Sequence, residues 1–405
     1  MSTGSTGLLL RGHRVVPGAF AFALAALLAA ACSSSDEGGG GPGAGAGAPD
    51  ATAVGPDGGA PGDGPGASGD GGDAGATAPL DLSAVQDRTW AWFDIPGAVC
   101  RDGSPAGFGL NLSSPSKKLM LFLQGGGACF NSQTCAGNPS SVGAKSASGG
   151  IFSRSNTENP VADWNHVFVP YCTGDVHAGN NPDGNVAGVG PQKFVGYANM
   201  ELFLAKLAAT FPDTAQILVT GTSAGGFGAA ANYGHTLRWF PSIPVNLVND
   251  SGPLMRQPPL ARCLQDQWKT MWKLDTTVIA ECGASCANQP DFLMAASKHW
   301  AATKSTLAQG LISATGDTTI RTFYGFGASE CTSFGLVSEA NFSAGLTDIR
   351  AESAAYANFG TYTYGGTRHT LLGADAFYST TVGSKTVAAW VKDIVDENTV
   401  TNVGP

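Results

Sequence analysis

The chain has 405 residues, a formal net charge of −9, 57 glycines and nine cysteines. The acidic balance, with no clustered basic stripe, argues against a nucleic-acid partner. The length allows one large α/β domain with an ample core beside a distinct N-terminal region.

Residues 1–32 contain Arg11 and Arg14, an apolar stretch from Val15 to Ala31, and Cys32. A basic start, a short apolar core and small residues before a cut describe a secretory signal, and the run is too short for a comfortable membrane span. Ala29-Ala30-Ala31 before Cys32 and three serines after it resemble a bacterial lipoprotein signal. The alanine at 29 departs from the leucine usual at that place. Cys32 is therefore the expected lipidation site, and the expected location is exported, either anchored to a membrane by lipid alone or secreted. Residues 33–78 are rich in Gly, Ala, Pro and Asp and lack aromatics. Such a segment buries too little surface to offset its ordering entropy, so it is expected to be a disordered tether. With +2 in residues 1–32 and −7 in the tether, residues 79–405 carry −4. The glycine runs are not phosphate loops, because no strand precedes them and no Lys-Ser/Thr follows.

Within 79–405 the strand candidates are Leu119–Gln124, His166–Tyr171, Gln216–Thr220, Val245–Val248 and Thr319–Phe323. A helical pattern runs from Tyr197 to Phe211, another from Ala224 to Trp239, and a last one from Lys385 to Val395. This alternation predicts a doubly wound, mostly parallel sheet with ligands at the strand C-terminal ends. Residues 254–315, with Trp268, Trp272 and three cysteines, read as a helical cap over that edge.

Two motifs carry chemistry. Gly125-Gly126-Gly127 follows the first strand candidate, and Gly221-Thr222-Ser223-Ala224-Gly225 follows the third. A Gly-x-Ser-x-Gly pentapeptide is weak evidence in so glycine-rich a chain, but strand, pentapeptide and helix in that order describe a nucleophile elbow. Acyl transfer needs a serine held on a sharp turn and N–H groups aimed where a carbonyl oxygen becomes negative. Ser223 is the expected nucleophile, and the N–H groups of Gly127, Ala128 and Ala224 the expected oxyanion donors. Ser223 as a simple N-cap in a Gly/Ser loop is the plainer alternative. A serine hydroxyl needs an imidazole to take its proton, and in α/β-hydrolases the acid and histidine follow the serine in the chain. His369 stands in a Gly-rich loop before the final helix and is the expected base. His177 is a candidate substrate-binding residue, or else a support for its loop. Apart from Cys32, eight cysteines allow four disulfides. Cys129–Cys135 is the preferred pair, and Cys282 and Cys286 lack a second pair at zinc-finger spacing. No cofactor or metal is expected.

The sequence resembles the pectin acetylesterase family, which also includes the animal Notum carboxylesterases. The resemblance is carried by Leu123-Gln124-Gly125-Gly126-Gly127-Ala128-Cys129, Asn159-Pro160, Asp163-Trp164-Asn165, and Val169-Pro170-Tyr171-Cys172-Thr173-Gly174-Asp175-Val176-His177. It continues through Gly221 to Gly226, Asn249-Asp250-Ser251-Gly252 and Thr367-Arg368-His369-Thr370. It implies an α/β-hydrolase-like fold, a Ser-acid-His triad without metal, and cleavage of esters such as O-acetyl groups on extracellular polysaccharide, pectin among them. A lipid-carboxylate deacylase, or a surface-binding protein that has lost turnover, are the alternatives. The family usually places its acid just after the strand that follows the cap. With that strand at Thr319–Phe323, the resemblance points to Glu330, with Asp250 as the rival.

Overall fold

The computed structural model describes residues 78–405. The expected signal, Cys32 and all but the end of the tether lie outside these residues. Ten strands are named in chain order: β1 (Trp90–Val99), β2 (Pro105–Asn111), β3 (Lys118–Leu123), β4 (Asn165–Val169), β5 (Asn181–Val186), β6 (Gly190–Phe194), β7 (Gln216–Thr222), β8 (Val245–Asp250), β9 (Gln309–Ala314) and β10 (Phe359–Tyr364). Eight form one sheet in the order β1-β2-β4-β3-β7-β8-β9-β10, and β5 pairs with β6 apart from it. From β4 to β10 every neighbouring pair is parallel, while β1 and β2 add an antiparallel edge.

The central strands read as continuous apolar runs because both faces of the sheet are covered. Side chains alternate between the two faces. On one face Leu119, Leu121, Leu123, Ile217 and Val219 pack against Met200, Phe203 and Leu207 of the helix Gly196–Thr210. On the other, Met120, Phe122, Leu218 and Val248 pack with Tyr362, Trp390 and Ile394. The expected helix from Ala224 to Trp239 is two, Ala224–Ala231 and Tyr233–Trp239, broken at Asn232.

The expected strand at Thr319–Phe323 is instead a helix, Thr318–Tyr324, whose first N–H groups are capped by Asp317 through a 3.0 Å bond from Ile320 N. Its threonines and aromatics suggest a strand, but Ile320, Phe323 and Tyr324 are buried at helical spacing. The strand that follows the cap is β9, about ten residues earlier, so the cap helices end at Thr303 and β9 belongs to the sheet. β10 and the β1–β2 edge were not expected from the sequence pattern.

The eight described cysteines pair as Cys100–Cys172, Cys129–Cys135, Cys263–Cys331 and Cys282–Cys286. The second is the expected bridge. The third ties the cap helix Arg262–Trp272 to the segment after Thr318–Tyr324. Among the described residues, no helix is long and apolar enough to cross a membrane.

Candidate active site

The C-terminal ends of five adjacent parallel strands meet at one edge, where ligands bind in such sheets. The β3 end leads into the glycine triplet, the β7 end into Ser223, and the β8 end is Asp250. The loops after β9 and β10 carry Asp317 and His369.

Ser223 sits at the sharp turn between β7 and the helix Ala224–Ala231, with φ 58° and ψ −123°. This is the left-handed side of the map, where a non-glycine residue is strained and persists only when neighbours over-determine it. Ser223 N donates to Asp250 O at 2.8 Å, and Ser223 O accepts from Gly226 N at 2.8 Å. The turn also demands close approach. A Cβ on Gly225 would lie 1.9 Å from Leu123 O, so only glycine lets the helix start against the β3 end. A Cβ on Gly125 would lie 2.8 Å from Ser223 Cβ, which places the triplet directly beside the serine. The N–H groups of Gly127, Ala128 and Ala224 take no part in the backbone hydrogen bonds of the turns and caps. Ala224 opens its helix, so its N–H has no partner within it and lies at the positive end of the helix dipole.

Asp317 and His369 are brought together by two loops that zip into each other. Thr315 N donates to Tyr364 O at 2.8 Å and Gly316 N to Gly366 O at 2.9 Å, which extends the β9–β10 pairing past the strands. His369 Nδ1 then lies 2.8 Å from Asp317 Oδ2. Asp317 is fully buried, with its other oxygen engaged as the helix cap. A carboxylate only accepts, so in the neutral imidazole Nδ1 carries the proton and Nε2 keeps its lone pair. Nε2 is buried with no hydrogen-bond partner.

This geometry corrects the expectation for the acid. Glu330 is exposed, in a short turn of helix at Ala328–Cys331 where its φ is 54°. No hydrogen bond or ion pair joins it to His369, whose carboxylate partner is Asp317. The carboxylate beside His369 stands just after the strand that follows the cap. The strand lies about ten residues before the place the sequence pattern suggests, and Gly316-Asp317-Thr318 after the apolar Leu311–Ala314 is the signal that would have pointed to this carboxylate.

Asp250, the rival, is buried and engaged elsewhere. Its Oδ2 accepts from Leu371 N at 2.6 Å and Leu372 N at 2.8 Å, and its Oδ1 from Ser251 Oγ at 2.9 Å. Burial pushes its pKa up, and those donors oppose the shift. Asp250 thus pins the loop that carries His369 to the β8 end. His177 is likewise buried, and its Nε2 lies 2.9 Å from Gln124 O, just before the glycine triplet. Burial lowers its pKa to about 4. It does not line the cavity beside Ser223, and its ring braces the triplet.

That cavity, partly open to solvent, is lined by Gly127, Ala128, Ser223 and Ala224 at one end. The rest of its wall comes from the cap and neighbouring loops, including Phe227, Leu254, Trp268, Val278 and Phe323. No charged side chain lines it. Among the described residues no group of three His, Cys, Asp or Glu side chains is placed to hold a metal ion.

Comparison with known proteins agrees with this architecture. A crystal structure of the Wnt deacylase Notum from Drosophila superposes with a TM-score of 0.61 at 19% identity, covering 78% of this chain and 95% of that one. The fold is α/β-hydrolase-like. Palmitoleoyl-protein carboxylesterase notum1' of Xenopus laevis is 32% identical over 214 residues, 47% of this chain and 40% of the frog protein. Human palmitoleoyl-protein carboxylesterase NOTUM is 32% identical over 172 residues, 38% of this chain and 34% of its own. The matched stretches thus span less than half the length of these relatives. An inactive palmitoleoyl-protein carboxylesterase, notum1b of Danio rerio, is 38% identical over 96 residues, 21% of this chain and 68% of its own. The pectinacetylesterase family model matches residues 79–296, more than half of the chain, and the protein belongs to that family.

Proposed function

We propose that this chain is a serine carboxylic-ester hydrolase that accepts a hydrocarbon acyl group. The observation that carries the reading is the buried Asp317–His369 pair, with Nε2 unpartnered, on the sheet edge that also holds the strained Ser223 turn. Ser223 Oγ attacks the ester carbonyl while His369 Nε2 takes its proton. The carbonyl oxygen becomes an oxyanion facing the N–H groups of Gly127, Ala128 and Ala224. Collapse breaks the ester C–O bond, and the imidazolium returns its proton to the departing alcohol. Water, deprotonated by His369, then cleaves the acyl-enzyme to free carboxylic acid and Ser223. Asp317 holds the productive tautomer and stabilises the imidazolium. Ser223 Oγ and Nε2 are not hydrogen-bonded in the free protein, which is common before substrate binds.

The wall of the cavity supports a hydrocarbon chain over an acetyl group on pectin. An acidic polysaccharide needs cations and donors around it, whereas this cavity offers apolar side chains. The relatives' names, palmitoleoyl-protein carboxylesterases, agree with that preference. Each methylene moved from water into such a cavity contributes about 0.8 kcal/mol. Going from an acetyl to an octanoyl ester therefore gains at most ~5 kcal/mol, a ceiling of a few thousand-fold in kcat/KM. Turnover of p-nitrophenyl octanoate is expected to exceed that of the acetate by at least ~100-fold and to vanish in Ser223→Ala. Acetate as the best substrate would favour polysaccharide deacetylation. Turnover unaffected by Ser223→Ala would refute Ser223 as the nucleophile, and no turnover in the wild type would leave a binding protein, a reading that the inactive relative keeps in view.

We also propose that residues 1–32 direct export and that Cys32 carries lipid. Four disulfides support an oxidising compartment. Detergent-free fractionation tests the anchor: equal release of wild type and Cys32→Ser would argue for plain secretion.

A further inference from the structure

The peptide between Gly126 and Gly127 stands where it could turn over at little cost. Neither residue has a Cβ to hinder the rotation, and Gly127 has φ 79°, on the left-handed side that glycine visits freely. Yet the Gly126 carbonyl is fixed. Asn138, buried just after the Cys129–Cys135 loop, donates from Nδ2 to Gly126 O at 2.7 Å. Tyr171 packs against the same glycine, since a Cβ there would lie 2.7 Å from its ring. Asn138 is held in turn. Its N–H donates to Cys135 O at 3.2 Å, and the buried Arg101 donates from Nη2 to Asn138 O at 2.6 Å and to Cys135 O at 3.3 Å. At the other end of the triplet, His177 Nε2 ties the Gln124 carbonyl at 2.9 Å.

A trans peptide is planar, so its C=O and N–H lie on opposite edges. Gly127 lines the cavity beside Ser223 and Asn138 does not. We propose that Asn138 is a positioning residue for ester cleavage: its bond to Gly126 O locks the Gly126–Gly127 peptide with the N–H toward the forming oxyanion. With the carbonyl committed to Asn138 behind the cavity wall, the Gly127 N–H is left on the edge that faces the serine. A peptide turned over would present a carbonyl oxygen to the oxyanion and repel it. Donors held in place beforehand stabilise developing charge with no reorganisation at the moment of reaction. Asn138 makes no hydrogen bond to Ser223, His369 or Asp317 and acts through Gly127. The proposal rests on the ester-hydrolase reading above and adds to it the side chain that orients one oxyanion donor.

The test uses the full chain with Asn138→Leu, which fills a similar volume without a donor, and Asn138→Ala, which empties it; melting curves show which variants fold. With p-nitrophenyl octanoate, kcat is expected to fall ~10–100-fold, less than the loss on removing an oxyanion donor outright, with KM within about two-fold of wild type. A role in packing alone would lower the melting temperature without splitting kcat from KM. Octylboronic acid, which forms a tetrahedral adduct on a serine Oγ, should inhibit the variants more weakly by the same factor as kcat/KM. Crystal structures read the lock directly. In the wild-type adduct, Gly127 N should lie within hydrogen-bond reach of a boronate oxygen while Gly126 O stays on Asn138 Nδ2. In the variants the Gly126–Gly127 peptide should be turned over or divided between two orientations. An unmoved peptide in the variants, an unchanged kcat, or a wild-type boronate beyond reach of Gly127 N would each overturn the proposal. Should neither variant fold, the wild-type adduct decides it. If wild type cleaves no ester and takes no boronate, the hydrolase reading fails, and the peptide orientation in the unliganded variants still decides whether Asn138 is the lock.

Discussion

Replacing Asp317 by Asn tests the site at its most informative point. In the wild type one carboxylate oxygen caps Ile320 N at 3.0 Å and the other meets His369 Nδ1 at 2.8 Å. The asparagine carbonyl oxygen keeps the cap, which turns its NH₂ group toward the imidazole. Nδ1 must then accept a hydrogen bond, so the ring proton moves to Nε2, and Nε2 can no longer take the serine proton. The corresponding change in a serine-protease triad lowers kcat about 10⁴-fold, equivalent to about 5.5 kcal/mol of barrier. A loss of that order in kcat is expected here, with KM nearly unchanged because the acyl cavity is untouched. Asp317→Ala should add a stability loss of about 1 kcal/mol from the missing cap. The assay is p-nitrophenyl octanoate turnover, with circular dichroism to confirm folding. Glu330→Gln is the control and should stay within about two-fold, since an exposed side chain without a partner has little to lose. Asp250→Asn should behave differently again. It removes charge-assisted bonds from Leu371 N and Leu372 N, costing about 2 kcal/mol or more in stability. Its activity loss should accompany a lower melting temperature. The reasoning fails if folded Asp317→Asn keeps turnover within ten-fold of wild type, or if Glu330→Gln loses as much.

Gly225→Ala is expected to yield no soluble folded protein, because the new Cβ would sit 1.9 Å from the Leu123 carbonyl oxygen; a normal melting curve would contradict the tight elbow. Stability should fall on acidification from pH 6.5 toward 4. Burial lowers the His166 and His177 pKa values to about 3 and about 4, so the unfolded chain takes up protons first. At pH 5 each histidine then costs roughly 2 kcal/mol relative to neutral pH. His166→Gln keeps a donor for Val161 O, the 2.8 Å partner of His166 Nε2, while removing one titration. Its urea-measured loss between pH 7 and 5 should be smaller than wild type by roughly 2 kcal/mol. Buried Asp175 and Asp250, whose pKa values are raised, act with opposite sign and are common to both proteins. Equal losses in the two proteins would refute the assignment.

The elements legible in the sequence were those whose chemistry is local. Leu119–Leu123 and Ile217–Val219 are apolar runs buried on both faces of the sheet, and each ends in glycines forced by a close backbone approach. Ser223 and His369 follow from such runs and from chain order, and Cys129–Cys135 closes a loop only six residues long. Which carboxylate meets His369 was decided by tertiary structure. Thr318–Tyr324 has the residues of a strand, yet its Asp317 cap and the packing of Ile320, Phe323 and Tyr324 make it a helix. Local propensity is weak against such packing, and misplacing that one element moved the expected carboxylate from Asp317 to Glu330. The meeting of Asp317 with His369 depends on β9–β10 pairing carried into two loops, a contact 52 residues apart in the chain. The acyl cavity is likewise a product of assembly. Its walls join the sheet edge to a cap folded over it, and the volume between two packed layers has no signature in either layer alone.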